Sequence, residues 1–364
     1  MAKTFGLEIN PWVYLAKYNE ENRWQESYVE KEHLTPGEEE NLSPVERAEL
    51  LAKRNSFPEL PLVNYTTQYG VGCFEGLKGF PQKDGSIRIF RPDENGLRMA
   101  RSMEGLLMPP FPQKLFVDAV RKVVKRNKSL GFTPDYDPAW EKDDFLSAYS
   151  VYIRPFSITE AGIGVNLSEN PWVIIITTGV GSYFKPGTFK AVTTERIRAT
   201  TGGTGWIKTA ANYLTSALAK KEAEREGYME TVFLDARERK YIEEGSSCNL
   251  FFILKDNTLV TPALRDTILP GITRKSILQI ARDEGLKTEE RPISIEEVFS
   301  EAKEFFACGT AAGVSFMSSI THQGKEAVFG DGTMGEFTAL ALKTLKGIQY
   351  GAIEDHHNWM VDVG

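Results

Sequence analysis

Apolar and polar residues alternate along the chain with two different periods, and each period predicts a different kind of element. Val151–Ile158 is a short run rich in β-branched residues, which predicts a strand. Phe116–Asn127 has apolar residues at helical spacing, and Ile272–Glu284 is predicted as a further helix. Gly131 and Gly285 can end these two helices. Strands and helices follow one another without a regular βαβ alternation, so the pattern predicts an α+β fold and not a doubly wound sheet.

Other stretches extend this prediction. Short runs predict further strands at Ser86–Phe90, Trp172–Thr178, Thr231–Asp235, Lys240–Glu243, Asn249–Leu254 and Thr258–Thr261. Helices are predicted at Asn95–Leu107 and Asn212–Glu226, and residues 34–55 predict an exposed loop followed by a short helix. Val63–Phe80 contains a mixture of aromatic residues and glycines, which predicts strands joined by a tight turn.

The domain organisation is predicted from length and from one glycine- and proline-rich segment. A chain of 364 residues suggests about two domains of roughly 150 residues each. Gly, Pro and Gly lie close together between Val180 and Phe189, which favours a junction there. We therefore expect one domain over residues 1–182, an interdomain loop over 183–189 and a second domain over 190–364.

Composition narrows the class of protein. Apolar residues make up 41% and charged residues 26%, as in globular proteins, and the net charge is −7. This balance argues against nucleic acid or an anionic membrane as the main partner. No basic stretch leads into an apolar run at the N-terminus, and no apolar run approaches the ~20 residues of a membrane span. We therefore expect a cytoplasmic protein.

Cysteine and histidine usage gives two further expectations. The three cysteines are widely spaced, which predicts reduced thiols without a disulfide framework. Four histidines occur and no H-E-x-x-H motif is present, so we expect no catalytic metal.

Lys208 lies between a glycine-rich turn and a predicted helix, in T-G-G-T-G-W-I-K-T-A-A-N-Y. A lysine in a sheltered position can form a Schiff base with pyridoxal 5'-phosphate, although a lone lysine is more often an ordinary surface residue. A nucleotide-binding P-loop is rejected because Ile207 stands where its second glycine belongs. The lysine becomes informative only together with the motifs that follow it.

Three later motifs supply what that cofactor needs besides an amine, namely an acid at its ring nitrogen and donors around its phosphate. Glu244 or its neighbour Glu243 can provide the acid. Gly271-Ile272-Thr273 precedes a predicted helix, whose first N–H groups can bind phosphate, and Gly309-Thr310-Ala311 offers a second turn with a hydroxyl. Arg98 can serve as the charged partner of the phosphate, and on generic grounds Arg101 can serve equally.

Taken together, these motifs resemble those of the branched-chain amino acid aminotransferases, which belong to the class IV (fold type IV) pyridoxal phosphate enzymes. The resemblance extends from about Tyr69 onward and is less clear in the first sixty residues. The matching stretches are Y-G-V-G-C-F-E-G-L-K-G-F (69–80), F-R-P-D-E-N-G-L-R-M-A-R-S (90–102), Y-I-R-P (152–155), G-S-Y-F (181–184), T-G-G-T-G-W-I-K-T-A-A-N-Y (201–213), E-G-S-S-C-N-L-F-F (244–252), I-L-P-G-I-T-R (268–274), F-F-A-C-G-T-A-A (305–312) and G-I-Q-Y-G (347–351).

The resemblance implies roles for individual residues. Lys208 would be the Schiff-base lysine and Glu244 the acid at the ring nitrogen. The residues implied to hold the cofactor are Arg98, Lys208, Tyr213, Glu244, Ser247, Leu269, Gly271, Ile272, Thr273 and Thr310. The residues implied to line the substrate pocket are Tyr69, Phe74, Tyr152, Arg154, Tyr183, Ser247, Thr310, Ala311 and Ala312.

The resemblance also implies an architecture and a reaction. The fold would combine a small N-terminal α/β domain with a larger C-terminal pseudo-barrel domain that anchors the cofactor, and the chain would form a homodimer. The enzyme would transfer the amino group of L-leucine, L-isoleucine or L-valine to 2-oxoglutarate. Gln68 replaces a common histidine, T-A-A-N-Y replaces the commoner G-G-N-Y, and the redox CxxC of some members is absent.

Two groups of alternatives remain open. Within the same fold, the chain could be a D-amino acid or amine aminotransferase or an aminodeoxychorismate lyase. Outside it, a non-catalytic cofactor-binding or amino-acid-binding protein is disfavoured because mere binding needs no electron sink, and a nucleotide-hydrolysing enzyme is disfavoured by Ile207.

Overall fold

The computed structural model describes residues 8–57, 59–181 and 189–364, and the structural statements below refer to these residues. Tyr183 and all of the predicted loop 183–189 except Phe189 lie outside them. The roles and boundaries assigned there remain predictions, as does the division into domains at residues 182 and 190.

Helices and strands alternate irregularly along the described chain, which confirms the predicted α+β class. Helices α1–α9 span Pro36–Glu40, Pro44–Asn55, Tyr65–Tyr69, Pro92–Gly105, Gln113–Ser129, Tyr213–Arg225, Ile272–Asp283, Ile295–Glu301 and Glu336–Gln349. Strands β1–β9 span Trp12–Asn19, Arg23–Glu30, Leu77–Pro81, Ile87–Phe90, Ser150–Ile158, Trp172–Val180, Lys190–Thr193, Glu230–Leu234 and Ile242–Gly245. Strands β10–β17 span Asn249–Leu254, Leu259–Thr261, Thr288–Glu290, Ala302–Gly309, Gly313–Met317, Ser319–His322, Lys325–Val328 and Met360–Asp362.

Most predicted elements agree with the structure to within a few residues, but the prediction of strands through Val63–Phe80 is wrong at its start. Tyr65–Tyr69 forms a helical turn. The side-chain oxygen of Asn64 accepts a hydrogen bond from the backbone N–H of Thr67 and so caps the start of this turn. Gly70 ends it in the left-handed conformation, at φ 71°.

The chain divides into two compact units. The first comprises the described residues of Met1–Tyr183 together with Lys208–Ala211 and Ile348–Gly364. Its seven-stranded antiparallel sheet has the order β17-β4-β3-β5-β6-β1-β2. Helices α4 and α5 pack against each other, and α5 also packs against β1 and β6. The apolar faces of these helices and of the sheet together form the core of this unit.

The second unit comprises the described residues of Phe184–Ile207 and Asn212–Gly347. It contains two five-stranded sheets, with the orders β12-β11-β10-β13-β14 and β16-β15-β7-β8-β9. Strand β10 is buried along its whole length, and Phe252 stacks on Phe305 of β13 with ring centroids 4.8 Å apart. The apolar run in this part of the sequence is therefore explained by a strand covered on both faces.

Two findings concern the other expectations from composition. Within the described ranges, no helix combines the length and the apolar character that crossing a membrane requires. Cys73, Cys248 and Cys308 are free thiols, and burial raises the pKa of Cys73 and of Cys308 to about 12. Both of these thiols therefore stay protonated near neutral pH.

Asn127 joins helix α5 to the sheet of the first unit. Its side chain is fully buried and accepts a hydrogen bond from the Trp12 N–H at 2.9 Å. The same amide donates to the Trp12 carbonyl at 2.9 Å and to the Thr177 hydroxyl at 3.0 Å. One side chain thus satisfies backbone groups of β1 and a hydroxyl of β6.

We expect Asn127→Ala to lower the free energy of unfolding by about 2 kcal/mol, because it leaves buried polar groups of Trp12 and Thr177 without these partners. Urea unfolding measures the change. Lys114→Ala is the matched control, since it removes an exposed ion pair with Asp118 from the same helix and should change stability by less than about 0.5 kcal/mol. Equal unfolding midpoints for the two variants would contradict the role assigned to Asn127.

Candidate active site

Lys208 belongs to the first unit, where its backbone is fixed from two sides. Its N–H donates to the hydroxyl of Ser102 on α4 at 3.0 Å, and its carbonyl accepts from the N–H of Phe74 at 3.1 Å. The next residue, Thr209, donates its hydroxyl to the carbonyl of Gly72 at 2.9 Å. The half-buried lysine places its Nζ 5.0 Å from the centroid of the Phe74 ring. The lysine is thus held beside an aromatic wall.

Arg98 is paired with a carboxylate that the sequence analysis did not identify. Glu75 is fully buried and accepts from Arg98 Nε at 2.7 Å and from Nη2 at 2.8 Å. This two-point geometry orients the guanidinium plane. Glu75 lies within the motif 69–80, directly after Phe74, so the motif could have drawn attention to it. Nothing in the sequence alone pairs Glu75 with Arg98.

Four of the residues predicted to line the substrate pocket, Tyr69, Phe74, Tyr152 and Arg154, belong to this unit. Arg154 donates from Nη2 to the Tyr152 hydroxyl at 2.7 Å, and its guanidinium lies 4.8 Å from the Phe74 ring centroid. Gly76 makes this possible, because a Cβ atom there would lie 2.3 Å from the Tyr152 hydroxyl oxygen. Tyr69, at the end of α3, is 40% exposed.

Glu244 lies in β9 of the second unit and is buried, with 5% of its surface exposed. It forms an ion pair with Arg198, whose side chain is 6% exposed. The other carboxylate oxygen accepts from Asn249 Nδ2 and from the Leu269 N–H, both at 3.3 Å. A guanidinium and two neutral donors thus lie around this carboxylate. Arg198 is the second functional candidate that the sequence analysis missed.

Glu243 is the neighbour that left the sequence interpretation ambiguous. It is buried on the strand, and burial raises the pKa of its carboxyl group above the usual value. Among the described residues, its Oε2 has no hydrogen-bond partner. Since successive side chains of a strand point to opposite faces, Glu243 and Glu244 cannot serve one site in the same way.

Helix α7 begins at the motif predicted to bind phosphate. Gly271 is its N-cap, and no side chain in the described part of the structure caps this end. Ile272 and Thr273 are buried in its first turn. A Cβ atom on Gly271 would lie 1.9 Å from Asn249 Oδ1. Asn249 also donates to the Leu269 carbonyl at 3.0 Å. One amide therefore joins the carboxylate of Glu244 to the start of this helix.

Two turns of the second unit hold the remaining candidates. Thr310–Ala312 connects β13 to β14, and Ser247 is exposed in the turn between β9 and β10. A Cβ atom on Gly309 would lie 3.5 Å from the Ser247 carbonyl oxygen, so the two turns are adjacent. Tyr213 is half-buried at the start of α6, directly after Asn212, which donates to the carbonyls of Thr204 and Ile207.

The candidates thus fall into two groups, each with its own internal bonding. The first unit holds Tyr69, Phe74, Arg98, Tyr152, Arg154 and Lys208. The second unit holds Tyr213, Glu244, Ser247, Leu269, Gly271, Ile272, Thr273, Thr310, Ala311 and Ala312. The roles assigned to these residues from the resemblance stay predictions.

Comparison with known proteins identifies the class. Residues 72–320 match the family described as amino-transferase class IV. The chain therefore belongs to the class IV aminotransferases, which confirms the predicted resemblance and the fold type IV assignment.

Within that class, the relatives are branched-chain amino acid aminotransferases. The chain is 40% identical over 299 residues to chloroplastic branched-chain-amino-acid aminotransferase 5 of Arabidopsis thaliana, covering 81% of this chain and 69% of the relative. It is 38% identical over 305 residues to branched-chain-amino-acid transaminase 1 of Bacillus subtilis (strain 168), covering 81% and 82% respectively.

A solved structure agrees with this assignment. The T.th. branched-chain amino acid aminotransferase with pyridoxamine 5'-phosphate superposes with a TM-score of 0.71 at 28% identity, covering 84% of this chain and 94% of that one. The predicted class of enzyme, a branched-chain aminotransferase of class IV, is confirmed.

We expect Gly271→Ala to lower the free energy of unfolding by about 2 kcal/mol. The added methyl group cannot coexist with the Asn249 amide in its present position, so Asn249 loses its hydrogen bonds to Glu244 and Leu269. Urea unfolding measures this loss. Gly37→Ala is the control, because no described atom lies within 4 Å of the added methyl group. If both variants unfold alike, the close approach of Asn249 to Gly271 is not as described.

Proposed function

We propose that the chain transfers the amino group of L-leucine, L-isoleucine or L-valine to 2-oxoglutarate, with pyridoxal 5'-phosphate as cofactor. The observation that carries this proposal is the buried carboxylate of Glu244, which is joined through Asn249 to the uncapped start of α7. A carboxylate such as that of Glu244 is the group that a protonated ring nitrogen requires. The start of a helix such as α7 can bind a phosphate.

The residues present fit this cofactor. In the second unit, the buried first turn of α7 and the Thr273 and Thr310 hydroxyl groups are donors of the kind that a phosphate requires, and we assign the guanidinium of Arg98 to the same phosphate as its charged partner. Lys208 would hold the aldehyde carbon and Tyr213 the ring oxygen. The T.th. structure contains pyridoxamine 5'-phosphate, which supports the choice of cofactor.

Two residues of the proposed site would each have a definite task in the reaction. When bound, the cofactor supplies an electron sink for charge at the substrate Cα. Lys208 would take the proton from Cα through its Nζ, as a general base. Glu244 would hold a proton at the ring nitrogen, where its negative charge favours the protonated form.

The residues proposed to line the substrate pocket suit both an aliphatic amino acid and glutamate. Phe74 and Tyr152 would form apolar walls for an aliphatic side chain, and Arg154 would pair with the side-chain carboxylate of glutamate. The contact of Arg154 with the Tyr152 hydroxyl keeps the charge available without leaving it unpartnered when an aliphatic substrate is present. The names of the Arabidopsis and Bacillus relatives support branched-chain substrates.

The enzyme would work as a homodimer in the cytoplasm. Leu62, Ile163 and Val165 are 90%, 81% and 91% exposed. Their two segments are neighbours, since Gly162 donates its N–H to the Val63 carbonyl at 3.1 Å. Apolar side chains gathered and exposed in this way are typical of a surface that another protein covers, and a second copy of this chain is the partner that the class suggests.

We expect Lys208→Ala to reduce turnover of L-leucine and 2-oxoglutarate by at least about 100-fold, because it removes the proposed base. The visible absorption of the cofactor-loaded protein, recorded before and after L-leucine and again after 2-oxoglutarate, measures both half-reactions. Lys221→Ala is the control, since that side chain is 67% exposed and should leave the rate unchanged.

The same spectra separate the proposal from its relatives in the fold. A cofactor band that responds to D-leucine or to a primary amine, and not to L-leucine, would redirect the assignment within class IV. Substantial turnover by Lys208→Ala would exclude Lys208 as the base.

We expect Val165→Glu to shift the protein from dimer towards monomer, because it places a charge in the apolar surface that the second copy would cover. Light scattering after size-exclusion chromatography measures the mass. Val45→Glu is the control, as Val45 is also exposed, at 68%, on helix α2. A wild-type protein with the mass of one chain would refute the dimer.

A further inference from the structure

Arg198 has a buried side chain, and the proposed function assigns it no role. It lies between β7 and the glycine-rich turn that precedes Lys208, and 6% of its side chain is exposed. A guanidinium removed from water is costly unless opposite charge and hydrogen-bond acceptors surround it. The positions of those acceptors therefore indicate what the arginine does.

Its Nη2 group reaches three different segments of the second unit. It pairs with Oε1 of Glu244, and it donates to the carbonyl oxygens of Gly205 at 3.0 Å and Thr267 at 2.6 Å. Gly205 stands three residues before Lys208, and Thr267 stands four residues before Gly271. The arginine thus bonds to Glu244 and to the segments of chain that lead into Lys208 and Gly271.

These segments are packed too closely for a side chain between them. A Cβ atom on Gly205 would lie 2.7 Å from the Ala199 Cβ and 2.7 Å from the Thr267 Cα. Backbone contacts of this kind leave little freedom for the guanidinium to reorient. Its ion pair with Glu244 is therefore a fixed feature of the unit.

Arg198 differs in charge from Asn249 and Leu269, which also donate to Glu244. Asn249 and Leu269 contribute a neutral amide and a backbone N–H, each at 3.3 Å. Arg198 contributes a full positive charge, which cannot be removed by deprotonation in a protein. The arginine therefore contributes both to the orientation of Glu244 and to its negative charge, whereas the neutral donors contribute mainly to orientation.

We propose that Arg198 is a positioning residue for transamination, which acts through Glu244 by holding that carboxylate charged and in place for the cofactor's ring nitrogen. This inference rests on the proposed function, because it assigns a task to Arg198 only if Glu244 meets the cofactor. Without Arg198, the buried carboxylate would be loosely placed, and it would then stabilise the protonated ring less well.

The test is a double-mutant cycle on Arg198 and Glu244. Two quantities are measured for the purified apoprotein: the dissociation constant for pyridoxal 5'-phosphate, from the fluorescence change on titration, and the rate of the half-reaction with L-leucine after loading. We expect Arg198→Met to worsen each by about 30-fold, as for removal of one partner from a buried charge pair. In a Glu244→Gln background, the same substitution should cost less than about threefold.

Arg198→Lys and Arg196→Met complete the design. Lysine keeps the positive charge but lacks the planar, multiply donating guanidinium group. We therefore expect Arg198→Lys to bind the cofactor more tightly than Arg198→Met does, but less tightly than the wild-type protein. Arg196 lies two residues away and pairs with Glu222 at the surface, where both side chains are substantially exposed. Arg196→Met should change both quantities by less than about twofold.

The outcomes are distinct. If Arg198→Met costs the same factor with Glu244 intact and in the Glu244→Gln background, Arg198 acts only by tying Gly205 and Thr267 together, and the inference is overturned. It is equally overturned if Arg198→Met has no effect. If Arg198→Met alone does not fold, the comparison of Arg198→Lys with and without Glu244→Gln gives the same coupling. A wild-type protein that neither binds pyridoxal 5'-phosphate nor reacts with L-leucine would overturn the proposed function itself.

Discussion

The candidate site depends on charged side chains that are buried and must therefore be paired inside the protein. Arg98 is paired with Glu75 in the first compact unit, and Glu244 with Arg198 in the second. Each pair is complete within its own unit, so the groups proposed to meet the cofactor are oriented by protein contacts. Charges held in this way need little rearrangement when a ligand arrives, which is the main advantage of a preorganised polar site. A site built on exposed charges would lack this advantage.

The site also requires segments of chain to approach one another closely, and glycines make this approach possible. Gly76 leaves room for the Tyr152 hydroxyl, Gly205 lets the turn before Lys208 lie against Thr267, and Gly271 admits the amide of Asn249. In each case a single methyl group would occupy space that a functional neighbour already fills. These glycines are therefore needed for packing, and their backbone angles alone would not explain them.

The sequence predicted much of this arrangement, for physical reasons that also explain where it failed. Helix α7 and strand β10 could be predicted because their periodicity and their end signals are local. The helical turn at Tyr65–Tyr69 was missed because it is only five residues long and because the hydroxyl of Thr159, 94 and 93 positions away, accepts from the backbone N–H groups of Tyr65 and Thr66. Glu75 and Arg198 were missed because a charge partner distant in sequence leaves no local pattern; their partners lie 23 and 46 positions away.

The assignment of Lys208–Ala211 to the first unit, while the chain on both sides of it belongs to the second, has a consequence for how such a protein can be altered. No single cut in the chain separates the two units, because the first is assembled from three separate stretches of sequence. A gene fragment that ends near residue 190 encodes most of the first unit but does not encode Lys208. Recombination that exchanges the first unit between relatives must therefore replace three stretches together if Lys208 is to keep its native surroundings.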